Sequence, residues 1–295
     1  MTTEHQVIDG GVVIYNPTAG RGSAGAMIDE AKALLGPSFD WRPTLRAGHA
    51  TELAREAATT HGLVVAFGGD GTVGDVARGI IGSESTLGIL PGGTGNDYAR
   101  NLNLRLDLKE AVATILGGVV AKVDYGLIND VPFINNAGTG FDSSVMQVMN
   151  TSIRFTKGKS AFILAILKTL PRFKPFTLTL QIDDEPPTTE KAMMVSILNG
   201  RMYGGGLLAA PTAEMDDGLV DIMVIKAVPK IRLLPLISSV QNGGHVNSPA
   251  VRMYKARRLR LTTTPTFPLN IDGDVMGLTP AEVTVRPREL KVLVR

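Results

Sequence analysis

In GGDG, residues 68–71, three glycines surround a single acid, Asp70, and a second acid, Asp97, follows the similar turn GGTGN at 92–96. Glycine lets backbone N–H groups approach a ligand closely, and a helix opening after such a turn offers unpaired donors and a partial positive pole. The expected guest is a phosphate chain. Two carboxylates beside a polyphosphate would repel it unless a cation intervened, and Mg²⁺ held through carboxylates, waters and phosphate oxygens resolves the conflict. Asp is also suited to forming turns and capping helices, so a lone GGDG decides little. Two acid-bearing turns of one kind weigh toward nucleotide chemistry.

The surrounding elements would have to bring those turns together. Three strand-like runs end alike, in VVIYNPTAGRGSAG, VVAFGGDGTVGDV and LGILPGGTGNDYAR, each entering a small-residue turn that opens a helix. Between residues 11 and 126 such strands alternate with helical stretches, the βαβ rhythm of a parallel sheet with helices on its faces. The three turns should therefore emerge at one carboxyl edge and line one crevice. From about 128 the pattern changes to strands separated by turns, among them FTLTLQID, KAMMVSILN, LVDIMVIKA, RRLRLTT, FPLNIDGD, AEVTVRP and ELKVLVR, with helices near 159–170 and 230–240. The expected organisation is an α/β domain over 1–127 and a β-rich, largely antiparallel domain over 128–295.

Composition limits the partners. Thirty Lys and Arg against 28 Asp and Glu, a formal charge of +2 on 295 residues, argue against a nucleic-acid binder. There is no cysteine, which excludes disulfides and thiolate chemistry. The N-terminal MTTEHQVIDGG lacks the basic and apolar regions of a leader, and the expected location is the cytoplasm. SAFILAILKTL, 160–170, is shorter than the roughly 20 residues that cross a bilayer, so no transmembrane segment is expected. It reads first as a buried helix closed by Pro171, yet the RFKPF that follows would suit an anionic headgroup layer. His5, His49, His61 and His245 lack metal-ligand spacing. Homo-oligomerisation is left open. Neither a Walker P-loop nor protein-kinase signatures occur, while GRGSAG at 20–25 fits the short dinucleotide pattern without an evident ribose-binding acid.

Taken together, NPTAGRG at 16–22, GGDGT at 68–72 and GGTGNDYAR at 92–100 resemble the diacylglycerol kinase catalytic-domain family, in its bacterial soluble lipid kinases. APTAEMDDGLVDI at 210–222 and NIDGD at 270–274 resemble later blocks in the same order, so the resemblance runs along nearly the whole chain. It implies a first domain related to phosphofructokinase and NAD kinase, a β-rich second domain, and transfer of the ATP γ-phosphate to a lipid hydroxyl at the membrane surface. On the resemblance, ATP falls to Asn16, Thr44, Gly68, Gly69, Asp70, Gly71, Thr72, Val73, Gly74, Gly93, Thr94, Asn96 and Asp97. Asp70, Asp97 and Asp124 would support the catalytic magnesium, and Glu214, Asp217 and Leu219 a second, structural one. Asp274 would be the base that accepts the lipid hydroxyl proton, with Asp70 the other catalytic acid. Read from the residues alone, Asp272-Gly273 is a favoured hairpin turn and Asp274 its flank, and EMDDGL is a polar turn. The chain departs from the family at Gly74-Asp75, where Asn-Glu is usual, and at Asp274, where glutamate is usual. A non-catalytic lipid- or nucleotide-binding homologue and an NAD kinase stand as the alternative readings, GTGNDYAR and the later blocks favouring lipid.

Overall fold

The computed structural model of the chain describes residues 3–5, 10–17, 24–152 and 159–295. Residues 18–23, which hold much of NPTAGRG and GRGSAG, lie outside these. The chain forms two compact units, one of Met1–Tyr125 with Pro287–Arg295 and one of Gly126–Arg286.

The first unit alternates strand and helix as the apolar runs dictate: β1 (Thr3–His5), β2 (Gly11–Tyr15), α1 (Ala24–Leu35), β3 (Phe39–Pro43), α2 (His49–Ala57), β4 (Leu63–Gly68), α3 (Asp70–Ile80), β5 (Thr86–Pro91), α4 (Asp97–Asn101), α5 (Leu108–Gly117) and β6 (Val119–Ile128). Strands β3, β2, β4 and β5 are parallel neighbours in that order. β4 and β5 are buried at every residue, as a parallel strand covered on both faces must be, which is why LVVAFG and TLGILP read as unbroken apolar runs. Asp107 starts α5 by accepting the N–H groups of Lys109 and Glu110 at 3.0 and 3.3 Å. Edge-to-face contacts of Trp41 with Tyr15 and Phe67, centroids 5.9 and 6.4 Å apart, lock the carboxyl ends of β2, β3 and β4 side by side.

The second unit is mostly antiparallel strand. It contains β7 (Val131–Phe133), β8 (Asn136–Gly140), α6 (Phe141–Ser152), α7 (Lys159–Thr169), β9 (Phe176–Ile182), β10 (Thr188–Leu198), β11 (Met202–Tyr203), β12 (Leu207–Leu208), β13 (Val220–Lys226), α8 (Lys230–Val240), β14 (Val251–Ala256), β15 (Arg258–Thr264), β16 (Pro268–Ile271), β17 (Asp274–Leu278) and the start of β18 (Ala281–Val294). β10 is its spine. Its first half pairs with β9; beyond an irregularity at Ala192–Met194 it lies between β8 and β13, where each residue is buried.

AEVTVRP and ELKVLVR, separate in the sequence reading, form the one long strand β18, whose last residues belong to the first unit, where Val292 pairs in parallel with Leu87 of β5. The expected 1–127 and 128–295 division lacks this return. It occurs at Pro287, which has no N–H, and Arg288, whose φ of 55° breaks the regular strand and turns its N–H to the Asp124 carboxylate at 2.7 Å.

Candidate active site

Four strand ends of the first unit, those of β2, β3, β4 and β5, meet as the parallel sheet requires. The N–H of Asn16 bonds to the carbonyl of Phe67 at 3.4 Å, that of Thr44 to Tyr15 at 2.8 Å, and that of Gly92 to Gly68 at 2.8 Å. They enclose a hollow of about 580 Å³ whose wall includes Asn16, Thr44, Gly69, Gly71, Thr72 and Gly93. Gly93 must be bare, because a Cβ there would run into the Gly69 Cα, and a Cβ on Gly69 would crowd the Gly93 Cα at 3.2 Å. Two backbone turns thus lie in direct contact with no side chain between them.

Asn96 holds the second turn. With φ of 51° it is one of the few side-chain-bearing residues in the left-handed region, and its amide accepts the Gly93 N–H and donates to the Gly93 carbonyl, both at 2.9 Å. Asp70 opens α3, and its Oδ1 accepts the N–H of Tyr98 at 3.1 Å. This bond brings the Asp70 carboxylate to the backbone next to Asp97, and neither acid is on the wall of the hollow. Asp97 is itself buried.

The other expected residues fall into groups. Val73 and Gly74 are buried on the inner side of α3, Gly68 is the buried last residue of β4, and Thr94 is exposed at the tip of its turn. Asp124 is fully buried and accepts the Arg288 N–H. Asp217 accepts the Leu219 N–H at 3.0 Å and the Lys255 ammonium at 2.7 Å, while Lys255 also stands 3.5 Å from Asp221. Burial would lower the Lys255 pKa, but these two acids raise it above its ordinary value. The Asp217 turn thus has a counter-cation of its own. Among the described residues no group of three or more His, Cys, Asp or Glu is placed to hold a metal.

Asp272 and Gly273, with φ of 49° and 97°, form the hairpin turn between β16 and β17. Asp272 accepts the N–H groups of Ile134, Asn135 and Asn136 at 2.9, 3.0 and 3.0 Å, fixing the turn to the chain entering β8. Asp274, the first residue of β17, is exposed beyond it.

Three residues were not singled out as site candidates. Arg46, on the wall of the hollow, is anchored by Glu52 at 2.6 Å, and this hydrogen bond holds the Glu52 carboxyl below its ordinary pKa. Its signal was a lone base between β3 and α2. Asp75, on the same wall, pairs with Arg78 at 2.8 Å. Asp142 lines a different space, a narrow apolar cavity of the second unit of about 50 Å³ whose wall includes Met193, Met194, Met223, Ile225 and Leu233. Burial raises its pKa to about 6, against an Asn270 hydrogen bond at 2.7 Å that favours the carboxylate. Asn270 also accepts the Gly273 N–H at 3.1 Å, linking Asp142 to the hairpin turn.

Comparisons with known proteins agree with this geometry. The diacylglycerol kinase catalytic domain model matches residues 11–128, and the YegS C-terminal NAD kinase beta sandwich-like domain model matches 135–294. A diacylglycerol kinase of Bacillus subtilis (strain 168) is 30% identical over 95% of each chain, and one of Mycobacterium tuberculosis (strain ATCC 25618 / H37Rv) is 31% identical over 95% of this chain and 93% of its own. A diacylglycerol kinase structure from Bacillus anthracis str. Sterne shares the fold with a TM-score of 0.75 at 23% identity, covering 97% of each chain. An NAD kinase from Archaeoglobus fulgidus in complex with ATP does so at 0.51 and 14%, covering 96% of this chain and 92% of its own. Two family models in tandem and relatives matched almost end to end place the chain in the diacylglycerol kinase catalytic-domain family, a family of kinases.

Proposed function

We propose that the protein is an ATP- and Mg²⁺-dependent lipid kinase that transfers the γ-phosphate of ATP to the hydroxyl of diacylglycerol or a related lipid at the membrane surface. The observation that carries this reading is the convergence of four strand ends on one glycine-bearing hollow, with Asp70 nearby tied to the N–H of Tyr98, the neighbour of Asp97. Gly69 and Gly71 offer room and amides to a phosphate chain, Gly93 offers room, Thr72 and Asn16 add polar side chains, and Arg46 adds a positive charge. The Asp70–Asp97 pair suits a hydrated magnesium ion held chiefly through waters, since Asp70 Oδ2 takes no part in the bond to Tyr98. When bound, that ion would offset the charge that gathers on the phosphate oxygens.

The acceptor side of the reading rests on the second unit. Its apolar cavity, about 50 Å³ and walled in part by methionines, would widen by side-chain movement to take acyl chain, and among the described residues Asp142 is the acid on that wall. Asp274, on a hairpin clamped by Asp272, serves as the base. As the lipid oxygen forms its bond to the γ-phosphorus, its proton passes to the Asp274 carboxylate, and the bond from phosphorus to the β–γ bridging oxygen breaks to leave ADP.

Incubation with γ-labelled ATP and mixed micelles of diacylglycerol, sphingoid base or phosphatidylglycerol should give a labelled phospholipid from one of them. No product from any of the three overturns the lipid assignment, and label transferred to NAD instead would favour the NAD kinase reading. The short side chain of Asp274 favours the contrary view, a binder without turnover. Asp274→Glu should keep or raise the rate if the site is catalytic, and give none if it only binds.

A further inference from the structure

The second unit presents two helices with unusual outer faces. α7 buries Ala165 and Ile166, with Leu170 buried just after it, yet its other side leaves Ile163, Leu164 and Leu167 56%, 37% and 54% exposed. α8 buries Leu233, Leu236 and Val240 and leaves Ile231 and Leu234 75% and 43% exposed. A helix at a water-facing surface is ordinarily polar on its outer side. Among the described residues of this unit, Leu278 is the only exposed large aliphatic that lies elsewhere. The two helices are neighbours: Lys230 Nζ at the start of α8 donates to the Pro171 carbonyl after α7 at 2.6 Å, and Ile166 and Leu233 line the same apolar cavity from their inner faces.

Charge says what covers these faces. From Ser143 to Ile182 and from Ile222 to Ile271 the chain has no Asp or Glu, while these stretches hold six and eight Lys or Arg; of the eight, Arg252, Lys255, Arg258 and Arg260 pair with acids outside the stretch, whereas Lys226 and Lys230 beside α8 bond to backbone carbonyls. Lys168, Arg172 and Lys174 follow the apolar side of α7, and Lys230 and Arg232 accompany Ile231 on α8. Beside α8 a groove of about 470 Å³ is lined by Lys226, Arg232, Ser239 and Ser248, cations and hydroxyls of the kind that hold a phosphodiester. Aliphatic side chains rimmed by bases, with no acid in either segment, complement an anionic phospholipid surface rather than a protein surface of mixed charge.

We propose that the outer faces of α7 and α8, with the basic groove beside α8, form the docking surface for an anionic phospholipid bilayer. Ile163, Leu164, Leu167, Ile231 and Leu234 enter the boundary between headgroups and acyl chains, and a phosphate headgroup seats against Lys226 and Arg232. This inference deepens the lipid-kinase reading and names the bilayer on which that reading depends, and its docking part can be tested separately from transfer.

The test is co-sedimentation of the full chain with phosphatidylcholine vesicles made with and without phosphatidylglycerol, at low and high salt. Binding should require phosphatidylglycerol and weaken with salt. Leu167→Glu/Ile231→Glu should lower partition at least about tenfold, as charged groups are expelled from that depth. Both positions are exposed and outside the cavity wall, so phosphorylation of a short-chain diacylglycerol dissolved as monomer should be unchanged. Equal partition of wild type and variant, or equal binding to both vesicle types, overturns the docking surface. So does light scattering that shows the wild type as a dimer and the variant as a monomer, since the face would then join two copies. Normal vesicle binding without phosphorylation of the dissolved substrate by either protein overturns the kinase reading and leaves the docking surface standing.

Discussion

The two units solve opposite problems. The first builds a polar hollow from backbone: Gly69, Gly71 and Gly93 contribute almost nothing but amides, and its acids are neutralised or fixed by near neighbours such as Tyr98 and Arg78. The second builds an apolar cavity from side chains, with methionines and branched aliphatics around one buried acid. Backbone amides cannot rearrange without unfolding a strand end, whereas methionine packs adaptably. A rigid seat fits a ligand of fixed shape such as a phosphate chain, and an adaptable one fits acyl chains of varied length. That contrast predicts that damage to the first unit removes chemistry for every acceptor and damage to the second changes acceptor preference.

The most severe way to break the comparison is Asp70→Asn. Asparagine keeps an oxygen for the Tyr98 N–H, so the fold should persist, while loss of the charge should lower transfer to every acceptor about 10³-fold. Full activity in a steady-state assay would remove Asp70 from the magnesium role. Next in size is Asp272→Ala, which strips the acceptor from three backbone N–H groups. Leaving them unpaired should cost about 3 kcal/mol, read as a lower urea midpoint, with nucleotide binding to the first unit retained if the units answer separately.

A pH series sharpens the comparison inside the second unit. Burial raises Asp142 to about 6, above an unfolded value near 3.9. Between those values the folded chain holds a proton that the unfolded chain has released, so stability falls as pH rises from about 4 to about 6 and levels off beyond. Asp142→Asn should flatten that fall by about 3 kcal/mol, measured as unfolding free energy against pH. Asp221, which burial also raises to about 6 against the pull of Lys255, should keep part of the slope. The smallest expected effect is that of Ile225→Trp, which fills the apolar cavity. Long-chain lipid phosphorylation should drop about tenfold while nucleotide affinity, read by calorimetry, stays within about twofold. An equal loss in both would erase the division of labour between the units.

Much of the first unit was legible because its signals are local. A run such as VVAFGGDG states strand, turn and helix start within a few residues, and parallel pairing then sends the carboxyl ends of β2, β4 and β5 to one edge. The second unit was harder to read. NAGTG at 136–140 carries the residues of a loop, yet it is β8, buried throughout between β10 and β16. Gly138 belongs there because a Cβ would meet the Val195 carbonyl of β10 at 2.8 Å, a fact held by a strand distant in sequence. Nothing near Asp142 announces that Asn270 will bond to it, nor anything near Asp217 that Lys255 will. SAFILAILKTL, first read as a buried helix, does bury Ala165, Ile166 and Leu170, but it also leaves apolar side chains in the open.

The sequence by itself determined that glycine-bare turns would follow parallel strands and that Asp70 and Asp97 would stand at those turns, because strand, turn and helix propensities act over a few residues. Only the tertiary structure decided that Asp70 would reach the Tyr98 N–H, that Asp272 would clamp the chain entering β8, and that Asp142 would keep its proton to a pKa of about 6. Each of these depends on desolvation and on partners brought from far along the chain, and neither exists until the core has closed.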